Sequence, residues 1–296
     1  MGLRAVEYTN GIKNLPPVFF YRQRSIRGPE MPQNPPQNPY AELFSVAGKT
    51  AVITGGSSGL GLAMAEAYLR CGARVYITGR KPDPLEAARV ELAAHGDVHA
   101  VQGDVATPEG VEALREALAA EDKLHVLINN AGITWGAPVE KFPAKAWDSV
   151  MGVNVKAPFV LTQVFLEKLE AAATPADPAR IINIGSVYGV TSQVSTAWSY
   201  GASKAAIHQL TKILAAELAR RGINVNAIAP GFFPSKMTHF MTSNEERLAE
   251  MRKMIPMGRE GSKDDIGALA LYLGSRASAY MTGNVIPLDG GVLAQT

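Results

Sequence analysis

Ala51-Val52-Ile53-Thr54-Gly55-Gly56-Ser57-Ser58-Gly59-Leu60-Gly61 is the stretch that decides the fold. Ala51, Val52 and Ile53 read as a short apolar strand, after which Leu60, Ala63, Met64, Ala67, Tyr68 and Cys71 recur at helical spacing. The glycines therefore stand at a strand-to-helix turn. Glycine there permits a tight bend and a close approach of backbone N–H groups to phosphate, and the helix N-terminus adds favourable positive charge. A glycine run alone would equally suit a plain loop; the strand before it and the helix after it favour a pyrophosphate site.

Outward from this turn, apolar strands near 50–54, 74–78, 98–102, 125–129, 180–186, 223–229 and 284–288 alternate with helical segments. That alternation predicts an α/β fold, a Rossmann-type doubly wound seven-stranded parallel sheet, as a single domain over residues 45–296. Ligands of such sheets bind beyond the carboxyl ends of the strands. Residues 1–44 hold seven of the nineteen prolines and repeat Gln-Asn-Pro at 33–35 and 37–39. They cannot bury a continuous apolar face, and an irregular N-terminal extended arm is expected. Five basic residues precede Glu30 with only Glu7 against them, as in a transit peptide, but serine is scarce and no amphipathic helix is visible, so a packing arm is the preferred reading. Met31 is an alternative start that the sequence leaves open.

The second strand ends near Gly79, where an acidic residue would hydrogen-bond a ribose 2′-hydroxyl and repel a 2′-phosphate. Arg80 and Lys81 follow instead, and their cations can pair with a 2′-phosphate. This favours NADP(H), although an exposed basic pair is also an ordinary solvated surface.

Tyr200 and Lys204 are four apart, which on a helix places them on one face, about 6 Å apart along the axis. A neighbouring cation favours phenolate, so a phenol that otherwise titrates near ~10 can exchange a proton with a substrate oxygen. The same spacing also arises by chance. Ser186 ends the apolar run that starts at Arg180 and so stands at the ligand edge of the sheet. Its hydroxyl can hydrogen-bond a carbonyl oxygen as charge develops there, or merely close a strand.

Thr54 through Gly61, Asn129-Asn130-Ala131-Gly132, Asn154, Ser186, Tyr200 with Lys204, and Pro230-Gly231 together resemble the short-chain dehydrogenase/reductase family, from about residue 46 to the C-terminus. Ile182 to Val187, Ile228 to Thr238, Ile255 to Arg259 and Ala279 to Gly291 look most like 3-oxoacyl-[acyl-carrier-protein] reductases, in particular the type associated with rhamnolipid synthesis. The resemblance implies reduction of a 3-oxoacyl thioester carbonyl. It implies Tyr200 as proton donor, Lys204 as the residue that lowers its pKa and binds the nicotinamide ribose, Ser186 as the group that orients the carbonyl, and Asn154 as holder of a relay water. It further implies an NADP(H) site of Thr54, Gly55, Ser57, Ser58, Gly59, Leu60, Gly61, Arg80, Lys81, Asp104, Val105, Asn130, Ala131, Gly132, Tyr200, Lys204, Pro230, Gly231 and Ser235. Asp104 would hold the adenine amino group, and Pro230, Gly231 and Ser235 would meet the carboxamide. Many NADP-linked relatives carry a basic residue where Ser58 stands, and threonine is commoner than Ser235. Sugar-acid, steroid or secondary-alcohol dehydrogenases share these motifs. A non-catalytic NADP(H)-sensing regulator is the more distant alternative, since such proteins commonly lack the tyrosine and lysine.

The formal net charge is +2 with both signs interspersed, and no Lys/Arg cluster is interleaved with aromatics, so nucleic acid is not an expected partner. No stretch reaches the apolar length of a membrane span. The lone cysteine, Cys71, excludes an intrachain disulfide and fits a reducing compartment, with cytoplasm preferred over mitochondrion; buried packing is expected of it. His95 and His99 are separated by Gly96 and a strand signal, so no metal site is expected. Met237, Met241, Met251, Met254 and Met257 mark a lid from Phe232 to Met257, a cover for an apolar chain or ordinary helix packing. Trp135, Val187, Tyr188, Trp198 and Phe233 adjoin the motifs as candidate pocket walls. Lys236, Arg247, Arg252, Lys253 and Arg259 could meet an acidic carrier protein, diluted by Glu245, Glu246 and Glu250. A helix from Ala202 to about Arg221 carries a stripe of Ala202, Ala205, Ala206, Leu210, Ile213 and Leu214, with Ile207, Ala215 and Leu218 beside it. Apolar on two sides, it calls for a second partner, and the resemblance implies a homo-oligomer, dimer or tetramer.

Overall fold

Parallel strands covered on both faces need unbroken apolar runs, and this chain supplies seven. The computed structural model describes residues 39–191, 196–234 and 244–295. Its strands are β1 Thr50–Ile53, β2 Arg74–Gly79, β3 Val98–Gln102, β4 Val126–Asn129, β5 Ala179–Ile184, β6 Ile223–Pro230 and β7 Val285–Leu288. They form one parallel sheet in the order β3-β2-β1-β4-β5-β6-β7. The direction of winding reverses between β1 and β4, which opens a crevice at their carboxyl ends. Ile53, the last residue of β1, pairs with both Ile77 and Ile128, so β2 and β4 run one or two residues past it and flank the crevice.

The helices are α1 Pro39–Leu43, α2 Gly59–Arg70, α3 Pro82–Ala93, α4 Pro108–Ala117, α5 Ala144–Met151, α6 Ala157–Val164, α7 Leu166–Ala172, α8 Trp198–Leu218, α9 Glu245–Met254 and α10 Lys263–Gly274. Local chemistry sets their starts. The Thr107 hydroxyl accepts from the Gly110 amide, with Pro108 in the first turn of α4, and Ser262 and Asp265 cap α10 reciprocally. Strand residues then alternate between two cores. Ile53, Ile77 and Ile182 pack with Met64, Tyr68 and Leu273 on one face; Val52, Leu127 and Val225 pack with Leu114, Leu161 and Leu218 on the other. Each such side chain contributes roughly 1.5–3 kcal/mol on burial, so the sheet is a stiff platform for the residues at its rim.

At the opposite, amino-end rim the Arg180 side chain is 2 % exposed and lies 2.9 Å from Asp177. It also donates to the Ser275 carbonyl at 2.7 Å. Lys49 Nζ is 2.9 Å from the same carboxylate and donates to the Gly274 carbonyl. One carboxylate thus ties β1, β5 and the end of α10 together. Its loss would strand two buried cations.

Three expectations change. Cys71 is exposed, just past the end of α2, because it stands with Arg70 and Gly72 on the solvent side of the turn while Tyr68 and Leu69 take the core positions. Pro39–Leu43 is helical, and the compact unit begins at Pro39; residues 1–38 lie outside the described residues. On α8, Ala202, Ala205 and Ile213 are exposed, whereas Ser203, Lys204, Ile207, His208 and Thr211 face inward. The inward face carries more polar groups than apolar counting expects, because they have buried partners: Lys204 donates to the Ile184 carbonyl and Asn183 to the Thr211 hydroxyl. Among the described residues, no single helix is long and apolar enough to cross a bilayer.

Candidate active site

Thr54, directly after β1, is buried beneath the glycine turn and joins it to the loop after β4. Its hydroxyl accepts from the Asn130 and Ala131 amides, each at 2.9 Å. Asn130 Nδ2 returns the contact, donating to the Thr54 carbonyl at 2.8 Å and the Gly55 carbonyl at 3.2 Å. Gly55 has φ +65°, and a Cβ on Gly61 would fall 2.4 Å from the Gly55 carbonyl oxygen. Both positions therefore require glycine. The result is a bare backbone cradle at the N-terminus of α2, which is the donor set a pyrophosphate needs.

The cradle opens into a cleft of about 380 Å³ along the carboxyl rim. Gly55, Ser57, Ser58, Gly59 and Leu60 line its first end, and Asn130, Ala131 and Gly132 its middle. Arg80, Asp104 and Val105 form the side beyond β2 and β3. Arg80 is largely exposed, and its guanidinium stands 3.8 Å from Asp104. Asp104 also accepts from the Ala106 amide at 3.0 Å. Pro230 and Gly231 close the far end beside Phe233. Lys81 heads α3, exposed, and does not line the cleft. Ser235 lies outside the described residues.

Ser186, Tyr200 and Lys204 line the same cleft. Lys204, in the second turn of α8, is buried and donates to the Ile184 carbonyl at 2.7 Å. Burial pushes its ammonium down to about 8. Its Nζ is 5.5 Å from the centre of the Tyr200 ring. Burial raises the Tyr200 phenol above its ordinary value, and a hydrogen bond with Ser186 opposes that rise. The net shift in the protein alone thus runs against the sequence expectation of a phenol made more acidic by Lys204. The lysine ammonium is directed at the Ile184 carbonyl, and desolvation is the largest influence on the phenol.

Asn154 sits in a π-helical turn, Gly152–Lys156, between α5 and α6. The extra residue in that turn rotates its side chain inward. Asn154 Oδ1 accepts from the Ile133 amide at 2.9 Å, and Nδ2 donates to the Ile133 carbonyl at 3.0 Å and to Ser203 Oγ at 2.9 Å. Ser203 in turn donates to the Tyr200 carbonyl at 2.7 Å. Both amide protons are in use, so the side chain braces the loop after β4 against α8.

Sequence reasoning passed over Thr78, Ile133, Val153 and Gly185, which also line the cleft, and Ser203, which braces it. Only the strand-end position of Thr78 carried a signal. Of the proposed pocket walls, Phe233 lines the cleft, Val187 is buried, and Trp135 and Trp198 are exposed. The basic mouth is altered too. Arg252 binds Glu260 at 2.7 and 2.8 Å, and Arg259 binds Asp265 at 2.7 and 3.1 Å, both bidentate. Lys236 and the Arg247 side chain are outside the described residues, as are Met237 and Met241; of the other lid methionines, Met251 is buried and Met254 and Met257 are exposed.

Comparison with known proteins agrees with this architecture. The family described as enoyl-(acyl carrier protein) reductase matches residues 55–293. The rhamnolipids biosynthesis 3-oxoacyl-[acyl-carrier-protein] reductase of Pseudomonas aeruginosa is 45 % identical over 84 % of this chain and 97 % of its own. Gluconate 5-dehydrogenase of Gluconobacter oxydans is 35 % identical over 86 % of this chain and 98 % of its own. The solved Pseudomonas aeruginosa RhlG/NADP active-site complex superposes with a TM-score of 0.82 at 44 % identity, covering 85 % of this chain and 98 % of that one. A phosphate cradle, a basic side chain past β2 and a rim carrying serine, tyrosine and lysine fit the same cofactor, and the chain belongs to the short-chain dehydrogenase/reductase family as an NADP-dependent oxidoreductase.

Proposed function

We propose that this protein reduces the ketone of a 3-oxoacyl thioester to the secondary alcohol, with NADPH as reductant. The observation that supports it is the meeting of Ser186, Tyr200 and Lys204 at one wall of a cleft whose other end is a phosphate cradle, in a chain 45 % identical to a 3-oxoacyl-[acyl-carrier-protein] reductase. NADPH, when bound, supplies the hydride. Thr54 and Asn130 hold the cradle in shape, and Arg80, which lines the cleft, would hold the 2′-phosphate. Ser186 donates to the carbonyl oxygen as negative charge builds on it. Tyr200, kept protonated by its buried setting, delivers the proton that completes the alcohol. Lys204 stabilises the phenolate left behind. Asn154 acts through Ser203, holding the first turn of α8 in register.

A second reading, oxidation or reduction at a sugar acid, is favoured by the 35 % identity to a gluconate 5-dehydrogenase and by the internal pairing of Arg252 and Arg259, which removes two cations from carrier docking. NADPH absorbance with acetoacetyl thioesters and 5-ketogluconate separates the two. Turnover of the sugar acid with none of the thioester would overturn the first. The exposed Ala202, Ala205 and Ile213 face of α8 supports a homo-oligomer, and a monomer in sedimentation would contradict it.

A further inference from the structure

His208 is a buried titratable side chain that the chemistry above leaves unused. It follows Lys204 by four residues and Tyr200 by eight on the inward face of α8, and it is 6 % exposed. Its Nε2 lies 3.4 Å from the Ser186 amide nitrogen, placed to accept from that N–H. The ring also hydrogen-bonds the backbone of Gly189. Between these contacts runs the one-turn segment Val187–Gly189, closed by the Gly189 amide donating to the Ser186 carbonyl at 2.9 Å. The fit beneath it is tight. A Cβ on Gly185 would fall 2.0 Å from His208 Nε2, and one on Gly189 would fall 2.5 Å from the Lys204 carbonyl carbon.

A ring nitrogen that accepts must carry a lone pair, so the proton resides on Nδ1 and the ring is neutral. The groups around it favour that form. Burial and the Lys204 and Lys212 ammonium groups hold the imidazole down to about 4, against the Gly189 hydrogen bond. Ser186 itself is 5 % exposed; its hydroxyl accepts from the Tyr188 amide at 3.2 Å and hydrogen-bonds Tyr200. The direction of that hydroxyl is set by the serine backbone, and His208 holds the amide of that backbone.

We propose that His208 is a positioning residue for the reaction: as a neutral acceptor it anchors the Ser186 amide and so fixes the serine hydroxyl against Tyr200. The inference rests on Ser186 and Tyr200 being the reacting pair of the function proposed above. Small displacements of reacting groups are costly to rate. Packing alone would be served by any side chain of this volume, whereas anchoring needs an acceptor where Nε2 stands.

The test compares His208→Leu, which keeps volume without an acceptor, with His208→Gln, whose Oε1 reaches the Nε2 position. Two readouts are taken: kcat and KM with acetoacetyl-coenzyme A and with ethyl acetoacetate, and hydrogen–deuterium exchange of the peptide spanning 184–190. Expected is a fall in kcat of about tenfold or more in the leucine variant, with KM for NADPH within twofold, faster exchange, and recovery of both by glutamine to within about threefold of wild type. Unchanged kcat and exchange in the leucine variant, or glutamine no better than leucine, would overturn it. Exchange decides even where the wild type reduces neither ketone, an outcome that would strike the substrate assignment and leave the anchoring role judged separately.

Discussion

Lys204 directs its ammonium at the Ile184 carbonyl, 2.7 Å away, while standing 5.5 Å from the centre of the Tyr200 ring. The end of β5 therefore holds the cation in place before any ligand arrives. With the amine brought down to about 8 by burial, kcat/KM for reduction is expected to fall along an alkaline limb near that pH, read from a pH–rate profile. For stability the sign is opposite. The folded value lies below the 10.5 of the exposed amine, so folding is penalised at pH 7 and the penalty lifts as pH rises from 8 through 10.5. Lys204→Met is accordingly expected to gain on the order of 1–3 kcal/mol of stability at pH 7 by denaturant titration, while losing turnover.

Tyr200→Phe keeps the ring and its edge contact with Tyr188, 6.1 Å between centroids, and deletes the proton. Turnover should drop by roughly 10²–10⁴-fold. NADPH affinity, followed by fluorescence titration, should stay within about twofold, since the cradle is on other elements; a variant at near wild-type rate would remove Tyr200 from the chemistry.

Gly61→Ala places a methyl 2.4 Å from the Gly55 carbonyl oxygen and 2.5 Å from Asn130 Nδ2. Neither neighbour can yield without breaking the turn-to-loop clamp. A loss of about 1–3 kcal/mol in unfolding free energy and at least tenfold in NADPH affinity is expected, by thermal melts and titration.

Among the described residues the Arg80 side chain pairs with Asp104 at a distant 3.8 Å and is largely exposed, so the pair contributes little to stability. Arg80→Ala should leave the melting temperature unchanged and cut NADPH affinity about tenfold or more, with NADH affinity little altered.

His208 is neutral when folded, with a value of about 4 against 6.5 for the free side chain. The unfolded chain therefore binds the proton first, and stability is lost as pH falls from 6.5 through 4. Lys204 and Lys212 on α8 oppose any charge on the ring. His208→Gln should melt at a temperature less sensitive to pH across that window, measured by calorimetry.

The sheet could be read from the chain because buried parallel strands leave an unmistakable mark: all eight residues of β6 and all six of β5 are buried. The glycine turn was equally legible, since Gly55 and Gly61 answer to local sterics. What escaped was tertiary. The inward face of α8 is polar where its groups find partners on the π-helical turn (Ser203), just past β5 (His208) and on β5 itself (Thr211), so these three left no apolar trace. The pairing of Arg252 with Glu260 and Arg259 with Asp265 depends on the path of the loop between α9 and α10, and Asn154 is buried in a π-helical turn that no spacing rule announces.

The knot of Lys49, Asp177 and Arg180 lies at the edge of the sheet away from the cleft. Lys123, exposed just before β4, borders that same end. Surface immobilisation through Lys123 would present the reactive side outward, so the molecule can be mounted on a bead or electrode with its entrance unobstructed.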